Sequence, residues 1–565
     1  MSWIYGSLFK AKQHAPLPGY KLPLEEYHSD FIDIFAGGKS QTLQRIDHPT
    51  KPKTVVFLLG NPILRVRDDY RYPDSDDWTQ ILASEQSIWA LDGHWLILIV
   101  GPEGVLAYND SLSKRTMYFH ESPDRVFFTN NLPILRDEVH PPIDYERFGA
   151  YWHSMFPPSF DRYAPTQSSY YQDIEMLGTG GKAQISKTGT LTLSNCPWTP
   201  VSEPYNLNTL MENMTLLPYR AGKRVTIGLS GGMDCRPLLA LYLKHKVPVN
   251  VVNLGSDTSQ DHLVAKKIAS HFDLPFRHIS YDDAGASWDQ AVDYVQNRGV
   301  VFNPANSIFM GYYPILAENT DVYISGYFGE LYRFRFMVAH LKSSLRQGAL
   351  DYHAIADYLY GTPPSFFSTD TTRRMHQGFW HSLKYEVSKM PSSLDMPNAM
   401  WMNLFLVRHS PRSVNMLNLA WIDQHLVDHM PYLQSSIING HWRYGFWNQL
   451  NEGLHRSIIR EACPALENFP LALADASAPY YYRQYAVKVK MWQYYRKRPM
   501  RITSRSDAFL EKYKDRILEI TQDPSIRNDN AISTAKLDAI VSAYYQGDKS
   551  LTGAMTGFLA FALGK

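Results

Sequence analysis

Short apolar runs separated by turn residues dominate the first 200 residues of the chain. Runs rich in β-branched and aromatic residues lie at 53–59, 95–100, 105–108, 116–120, 126–129, 183–186 and 190–193. Gly, Asp, Asn and Pro separate these runs, which is the spacing of short strands joined by turns. The pattern predicts a layered, β-rich unit in residues 1–204.

The pattern changes after about residue 205. Apolar runs at 225–229 and 249–254 alternate with segments of helical periodicity at 236–244 and 260–271. Strand–helix alternation of this kind predicts a parallel sheet with right-handed crossovers. Beyond about residue 335 the pattern is largely helical. The chain has 565 residues, too many for one hydrophobic core. We therefore expect an α/β protein with two domains, 1–204 and 205–565.

Composition and charge narrow the class of protein. Hydrophobic residues make up 44% of the chain and charged residues 20%, as in ordinary globular proteins. A net charge of +1 gives no general attraction to nucleic acid or to anionic membranes. The three cysteines, Cys196, Cys235 and Cys463, are widely spaced, which argues against a disulfide framework or a zinc site. With neither a signal-peptide pattern nor a membrane-length apolar run, we expect a cytoplasmic location.

One segment has the features of a phosphate-binding loop. An apolar strand runs into Ser230-Gly231-Gly232-Met233-Asp234 and then into a helix. The glycines let backbone N–H groups approach a pyrophosphate, and the helix N-terminus adds a partial positive charge. Ser230 can donate its hydroxyl to a phosphate oxygen, and Asp234 can hold a divalent cation. The G-x-x-x-x-G-K pattern of a Walker loop is absent. A plain glycine-rich turn is the alternative interpretation.

Ser-Gly-Gly-x-Asp after a strand resembles the pyrophosphatase loop of the asparagine synthetase superfamily. Four further segments match that superfamily in the same order, at Asp261-His262 with Ala265, Tyr323–Glu330, Met430–Leu433 and Leu454–Arg460. The resemblance covers about residues 205–475, and more weakly the first 200. It implies an N-terminal Ntn-hydrolase-like αββα domain, a C-terminal PP-loop adenylating domain with a helical end, and the use of ATP and Mg²⁺.

The resemblance also assigns the nucleotide and metal positions. In that superfamily two acidic residues hold magnesium on the ATP phosphates, and Asp234 and Glu330 match them. Glu330 replaces the usual Asp, and Phe328 replaces a glycine. The nucleotide-binding residues that it implies are Leu229, Ser230, Gly231, Gly232, Met233, Asp234, Cys235, Asn253 and Gly326.

Two further catalytic candidates come from the same resemblance. In the β-lactam and carbapenam synthetases a tyrosine that matches Tyr327 belongs to a Tyr–Glu pair that helps deprotonate the attacking amine. The glutamate partner cannot be placed in this sequence. The superfamily also has a late lysine on the pyrophosphate side, and here no lysine occurs until Lys488, followed by Lys490. The implied catalytic residues are Tyr327, Glu330 and Lys488.

The first domain resembles a glutaminase that has lost its nucleophile. Position 2 is Ser2, where asparagine synthetases have a cysteine, and the Arg and Asn-Gly motifs that hold glutamine are not found. Residues 92–130 resemble the later strands of that domain. Without glutamine hydrolysis no ammonia is released, so we expect the amine to come from the substrate.

A cationic, aromatic stretch lies beyond the superfamily-like region. Its cations run from Arg483 to Arg505 with no acid among them, and tyrosines and tryptophans are interleaved. Three interpretations stay open: RNA binding by stacking and phosphate contacts, a cover over the active site, or a solvated helix face.

The sequence predicts an AMP-forming carbon–nitrogen ligase that joins a substrate carboxylate to an amine. Relatives with a lapsed glutaminase domain include lasso-peptide macrolactam cyclases and β-lactam synthetases. We therefore expect a peptide macrolactam cyclase, acting on a peptide or small-molecule substrate and partnered by a leader-peptide protease. A ligase for a metabolite or sugar acid, a tRNA-modifying enzyme and an inactive scaffold are the alternatives. No membrane or nucleic-acid partner is expected.

Overall fold

The structure is a computed structural model. It describes residues 2–9, 25–156, 163–201, 205–285, 287–333, 350, 352–361, 365–392, 394–414, 416–442, 452–473, 476–480 and 505–565. In these ranges no helix is both long and apolar enough to cross a lipid bilayer.

Antiparallel strands fill the first 195 residues. They are β1 (Trp3–Phe9), β2 (Glu25–His28), β3 (Ile32–Gly37), β4 (Leu43–Asp47), β5 (Val55–Val66), β6 (Asp69–Arg71), β7 (Asp92–Gly101), β8 (Gly104–Asn109), β9 (Tyr118–Glu121), β10 (Arg125–Thr129), β11 (Ile174–Met176), β12 (Gly181–Ser186) and β13 (Leu191–Asn195). One sheet has the strand order β11-β9-β10-β1-β3-β2, and the other has the order β13-β12-β8-β7-β5-β4, with β6 paired to β5.

The helices of this region form the two outer layers of the sandwich. They are α1 (Ser75–Ile81), α2 (Glu85–Trp89), α3 (Leu132–Val139) and α4 (Tyr145–Met155). The α1–α2 pair packs on the sheet that contains β7, and the α3–α4 pair packs on the sheet that contains β1. A separate apolar cluster fills the space between the sheets. This arrangement is the αββα sandwich that the resemblance implied, so that prediction is confirmed.

Strand β7 shows why these runs are continuously apolar. Leu96, Leu98 and Val100 face the core between the sheets, while Trp95 and Ile97 face the α1–α2 layer. A strand covered on both faces needs apolar residues at every position, which removes the usual alternation.

A parallel sheet occupies the middle of the chain. Its strands are β14 (Val225–Gly228), β15 (Asn250–Gly255), β16 (Phe276–Ser280), β17 (Val322–Ile324) and β18 (Val427–His429), in the order β16-β15-β14-β17-β18. The chain runs outward through β15 and β16, and then returns to the other side of β14. The strand order therefore reverses between β14 and β17, which is where open α/β sheets bind ligands, at the carboxyl ends of the strands.

The remaining helices surround this sheet or follow it. They are α5 (Leu207–Arg220), α6 (Cys235–His245), α7 (Gln260–His271), α8 (Tyr281–Ala284), α9 (Trp288–Gln296), α10 (Ile308–Ala317), α11 (Tyr352–Leu359), α12 (Thr369–Ser388), α13 (Asn398–Val414), α14 (Met416–Ile422), α15 (Ser435–Trp442), α16 (Gly453–Ala462), α17 (Arg505–Lys512), α18 (Lys514–Thr521), α19 (Pro524–Arg527), α20 (Thr534–Tyr545) and α21 (Thr552–Gly564). A short hairpin of β19 (Leu471–Leu473) and β20 (Ala476–Ala478) follows α16.

The last sixty residues pack against the α3–α4 layer of the αββα sandwich. Phe509, Phe558 and Phe561 share one apolar cluster with Phe148 and Trp152 of α4. The predicted parallel sheet and the helical C-terminal region are both present, so the α/β fold class is confirmed. The domain boundary at 204/205 stays a prediction.

Candidate functional site

The segment 230–234 lies at the point where the strand order of the parallel sheet reverses. It leaves the carboxyl end of β14 and enters α6, next to the carboxyl end of β17. The N-terminus of α6 therefore points toward this edge, and the 11-residue helix directs its partial positive charge there. The succession of strand, glycine loop and helix, placed at the reversal of the sheet, forms a site suited to a phosphate group.

Hydrogen bonds inside the loop fix its shape. The Gly232 N–H donates to Ser230 Oγ at 3.1 Å, and the Ser230 N–H donates to Cys235 Sγ at 3.3 Å. The Gly231 N–H donates to Asp261 Oδ1 at 3.0 Å. Burial raises the pKa of the Cys235 thiol, so this side chain is a neutral packing group rather than a nucleophile. Met233 is buried as well and anchors the loop to the core.

Arg236 binds the loop to the segment that precedes β19. The guanidinium is fully buried, and it donates to Gly231 O at 3.0 Å, to Phe469 O at 2.8 Å and to Pro470 O. The Ala472 N–H donates to the same Gly231 carbonyl at 2.9 Å. Since three carbonyls surround the buried cation, the loop is held rigidly before any ligand binds.

The two glycines of the loop face different surroundings. A Cβ added at Gly231 would lie 2.4 Å from Ala472 Cβ and 3.0 Å from Val264 Cβ, so this glycine is needed for packing. Among the described residues, a Cβ added at Gly232 would meet only Ser230 Oγ, at 3.1 Å, so none of them covers this side of the loop. Gly232 therefore marks the face of the loop on which a phosphate group fits.

Asn253 lies beneath the loop, on β15. Its Nδ2 donates to Leu229 O at 2.9 Å, which fixes the orientation of the amide. Its Oδ1 is buried and accepts no hydrogen bond within the described residues. A buried acceptor without a donor costs about 1–3 kcal/mol. An amino group of a bound nucleotide base would satisfy it.

Asp234 lies against the turn that follows β17. A Cβ added at Gly329 would lie 2.6 Å from Asp234 Oδ1, and one added at Gly326 would lie 3.2 Å from the Asp234 carbonyl carbon. Glu330 is the next residue, half-buried at the start of a short 3-10 helix. The structure thus brings the segment that carries Glu330 against Asp234. These carboxylates, together with phosphate oxygens, fit the oxygen ligands that Mg²⁺ prefers.

Phe328 adopts a left-handed backbone conformation in this turn. Its φ is +65°, in the left-handed region that bulky side chains rarely adopt, and its ring is buried. Such a conformation costs about 1–3 kcal/mol and persists only where the surroundings enforce it. The apolar cluster that holds the ring enforces the strain.

Tyr327 is near acidic groups, on the exposed side of the same turn. Its ring is 39% exposed. The surrounding protein desolvates the hydroxyl and raises the pKa of Tyr327 to about 12. The charges of Asp428 and Glu330 raise this pKa further by smaller amounts, and Arg505 lowers it. Asp428, in β18, is paired in register with Tyr323, and burial raises its pKa to about 7. Asp428 is thus a carboxyl near Tyr327 that exchanges its proton near neutrality.

A cluster of rings lies under Asp234. The Tyr432 hydroxyl donates to Asp234 O at 2.9 Å, and the Tyr432 ring stacks on His455, with centroids 5.2 Å apart and planes at 16°. His455 is fully buried, and its Nε2 lies 3.3 Å from Asp234 Oδ1. The motifs matched at 430–433 and 454–460 therefore converge on the metal-ligand candidate.

Ser2, for which the sequence predicts a lost nucleophile, is enclosed by protein. Ser2 is fully buried, its Oγ lies 2.9 Å from Thr42 Oγ1, and its N–H donates to Ala420 O at 3.0 Å. Ala420 belongs to α14, so the parallel-sheet half of the chain covers Ser2. No side chain that could activate a serine hydroxyl contacts Ser2 Oγ among the described residues.

Part of the prediction lies outside the described residues. Lys488, Lys490 and the cationic stretch from Arg483 to Arg501 are in the segment 481–504, which is not described. Only Tyr480 and Arg505 flank it, and the Arg456 guanidinium lies 4.8 Å from the Tyr480 ring centroid. The catalytic assignment of Lys488 stays a prediction, as do the other assigned site residues.

Sequence reasoning did not assign site roles to four residues that the structure places here: Asp261, Arg236, Asp428 and His455. Asp261 was noticed only as part of a motif, and burial raises its pKa although the Gly231 N–H opposes this. His455 likewise was noticed only as part of the segment 454–460, and Arg236 resembles an ordinary helix residue in the sequence. Asp428 lies in a strand of three residues, too short for its periodicity to be recognised.

Comparisons with known proteins give distant likenesses only. No protein-family model matches the sequence, and no curated protein matches it. Among solved structures, NMN synthetase from Francisella tularensis is similar at 15% identity, over 37% of this chain and 94% of its own, with a TM-score of 0.20. Glutamine phosphoribosylpyrophosphate amidotransferase from B. subtilis is similar at 11% identity, over 44% of this chain and 51% of its own, with a TM-score of 0.19.

A third solved structure is the U34-tRNA thiolase NcsA from Methanococcus maripaludis. It is similar at 14% identity, over 32% of this chain and 79% of its own, with a TM-score of 0.17. At TM-scores of this size, these likenesses indicate no function for this chain.

Proposed function

We propose that this chain is an ATP-dependent, AMP-forming carbon–nitrogen ligase. The observation that supports it most directly is the position of the loop 230–234. The loop lies at the reversal of the parallel sheet, no described residue covers it on the side of Gly232, and it carries Asp234 against the segment of Glu330. A rigid loop, a helix N-terminus and two carboxylates together fit a nucleoside triphosphate with its divalent cation.

Each part of the site has a role in such a reaction. The N-terminus of α6 would bind the pyrophosphate portion and stabilise the charge that develops on it as it leaves. Asp234 and Glu330 would hold Mg²⁺, which neutralises phosphate charge when bound. Asn253 would accept a hydrogen bond from the base. The substrate carboxylate displaces pyrophosphate from the α-phosphate, and the amine then displaces AMP from the acyl carbon.

The second step requires an amine that has lost its proton. Tyr327, with its pKa raised to about 12, stays a phenol at neutral pH and can orient the amine but not deprotonate it alone. Asp428, with its pKa raised to about 7, is matched to a base that works near neutrality. We propose that Asp428 accepts the proton that the amine loses. Tyr327 would lie between Asp428 and the amine.

The closed Ser2 position supports a substrate-borne amine. An enclosed serine hydroxyl cannot admit glutamine, so ammonia would not be produced within the chain. An intramolecular amine favours ring formation, and a peptide macrolactam is the product class that we propose. A metabolite or sugar-acid ligase would use the same loop with a separate amine, and the nature of the amine donor distinguishes the two.

The test is ATP–pyrophosphate exchange with wild type and Asp234→Asn. Labelled pyrophosphate should enter ATP in the presence of a precursor peptide, AMP rather than ADP should accumulate, and the variant should lose at least about 100-fold in exchange rate. Release of ADP and phosphate would reject the AMP-forming mechanism. If no peptide or metabolite carboxylate supports exchange although Mg–ATP binds, the scaffold alternative would be favoured.

A matched control concerns the first domain. Ser2→Ala should leave exchange unchanged, and glutamine should neither be hydrolysed nor replace the substrate amine. Production of glutamate by wild type but not by Ser2→Ala would show that this domain is an active glutaminase.

A further inference from the structure

The most unusual side chain near the loop is His455. Its relative exposure is 0%, and neither ring nitrogen makes a hydrogen bond within the described residues. An imidazole always has at least one N–H donor. Leaving such a group unsatisfied in the interior costs about 1–3 kcal/mol, so a buried histidine of this kind needs a reason.

The surroundings of His455 direct one nitrogen toward Asp234. Nε2 lies 3.3 Å from Asp234 Oδ1, although the two atoms are not aligned as a hydrogen bond. The Tyr432 ring stacks on the imidazole, and Tyr332 packs edge-on with its centroid 6.4 Å away. Because rings contact the imidazole on more than one side, a small rotation of the Asp234 carboxylate is the motion that would align the two groups.

The two oxygens of Asp234 are in different surroundings. Oδ1 is buried between His455 and Gly329, whose added Cβ would lie only 2.6 Å from it. The side chain as a whole is 24% exposed, which leaves the exposure on the Oδ2 side. Tyr432 meanwhile holds the main chain of Asp234 through its carbonyl at 2.9 Å. Of the two stacked rings, Tyr432 therefore contacts the backbone of Asp234 and His455 contacts its carboxylate.

We infer that His455 is a positioning residue for the divalent cation of the nucleotide. Its Nε2–H donates to Asp234 Oδ1 and thereby directs Oδ2 toward the metal, while Tyr432 fixes the backbone to which that carboxylate is attached. This inference rests on the proposed function. Groups that orient a metal ligand in this way usually contribute 10–100-fold to metal affinity.

Four proteins test the inference: wild type, His455→Phe, His455→Gln and Tyr432→Phe. Phenylalanine keeps the ring stack but removes both nitrogens, and glutamine places an amide donor near the position of Nε2. Mn²⁺ serves as the probe, and its binding to the ATP complex is followed by electron paramagnetic resonance. Metal-free ATP binding is measured separately by calorimetry, and circular dichroism checks folding.

The expected result separates positioning from packing. His455→Phe should weaken Mn²⁺ binding in the ATP complex by about 10–100-fold, His455→Gln should recover most of the loss, and metal-free ATP binding should stay within about twofold. Tyr432→Phe should weaken Mn²⁺ binding by less than His455→Phe, because it removes only the hydrogen bond to Asp234 O and leaves the imidazole nitrogens in place.

Three results would overturn the inference. If His455→Phe binds Mn²⁺ as wild type does, the nitrogens do not position the metal ligand. If His455→Gln binds Mn²⁺ as weakly as His455→Phe while both are folded, a donor near Nε2 does not restore the affinity, and the hydrogen bond from Nε2 does not position the metal ligand. If wild type itself binds no Mn–ATP, both the proposed function and this inference are wrong, so the two failures are distinguishable.

Discussion

Arg115 and Asp423 form an ion pair in the interior, between the αββα sandwich and the parallel-sheet half of the chain. The Nη1–Oδ2 distance is 2.7 Å and the Nη2–Oδ1 distance is 2.8 Å, with both side chains at most 4% exposed. Arg115 Nη2 also lies 3.0 Å from Nδ1 of His94, whose Nε2 lies 2.7 Å from Asp428 O. Because Nε2 faces a carbonyl it is the protonated nitrogen, and Nδ1 accepts from the arginine.

Removing one partner of this pair should destabilise the whole molecule. Asp423→Ala leaves a buried guanidinium without its counter-charge, which costs about 3–5 kcal/mol. The control is Asp538→Ala, which breaks an Arg527–Asp538 pair of the same 2.7 Å length at the surface and should cost at most about 1 kcal/mol. Urea unfolding followed by tryptophan fluorescence measures both. Equal effects of the two variants would show that the two halves are not coupled through Arg115.

Alanine substitutions at the two loop glycines should affect different properties, the stability of the fold at Gly231 and the affinity for Mg–ATP at Gly232. Gly231→Ala forces its Cβ onto Ala472 and Val264 and should lower the free energy of unfolding by about 1–3 kcal/mol. Gly232→Ala places its Cβ 3.1 Å from Ser230 Oγ, a short contact that a small shift of the serine side chain relieves, and should change stability by less than about 1 kcal/mol. Its methyl group lies on the phosphate side, so Mg–ATP affinity should fall about tenfold or more. Calorimetric titration and thermal unfolding of both variants measure the two effects. Normal ATP affinity of a folded Gly232→Ala protein would show that phosphates do not lie there.

The left-handed backbone of Phe328 predicts a reversal of the usual order of alanine and glycine. Both Phe328→Ala and Phe328→Gly lose a buried ring, at about 3–5 kcal/mol. Glycine alone relieves the φ of +65°, so Phe328→Gly should be more stable than Phe328→Ala by about 1 kcal/mol.

The matched control for Phe328 is Phe379, which is buried inside the helix α12. There glycine should be less stable than alanine by about 1 kcal/mol. Denaturant midpoints of the four variants measure both differences. The same order at both positions would show that Phe328 is not strained.

The raised pKa of Asp428 predicts how stability depends on pH. Its pKa is about 7 in the folded state against 3.8 ordinarily, so the folded protein binds the extra proton between these values. The protonated carboxyl of Asp428 is the form that suits the folded protein. Its favourable effect on the free energy of unfolding is therefore present below about pH 4 and is lost as the pH rises through 7. Asp428→Asn removes that loss. Relative to wild type, the variant should therefore gain up to about 4 kcal/mol between pH 4 and 8.

Asp321→Asn is the control for this pH dependence. Hydrogen bonding to Arg224 lowers the pKa of Asp321, so this group stays ionised in both states above pH 5. The difference between Asp321→Asn and wild type should be flat between pH 5 and 8. Urea midpoints across that range measure both variants. A flat profile for Asp428→Asn would mean that Asp428 is ionised throughout.

The sequence alone determined the elements with strong local signals. The helix 260–271 has the bounds that its periodicity predicted, and the strands near 225–229 and 249–254 lie within two residues of their predicted positions. The loop 230–234 was also recognised from sequence, because a strand, two glycines and a helix start form a local pattern. These features depend on neighbouring residues, which interact in any fold that contains the segment.

Only the tertiary structure decided which distant residues meet at the loop. Tyr432 and His455 are about 200 residues beyond Asp234; the resemblance singled out their segments but not the contact of either side chain with Asp234. The strain at Phe328 and the burial of Ser2 under α14 depend on packing between segments far apart in the chain. Such contacts follow from how the layers close on one another, and the sequence near each residue contains no record of that geometry.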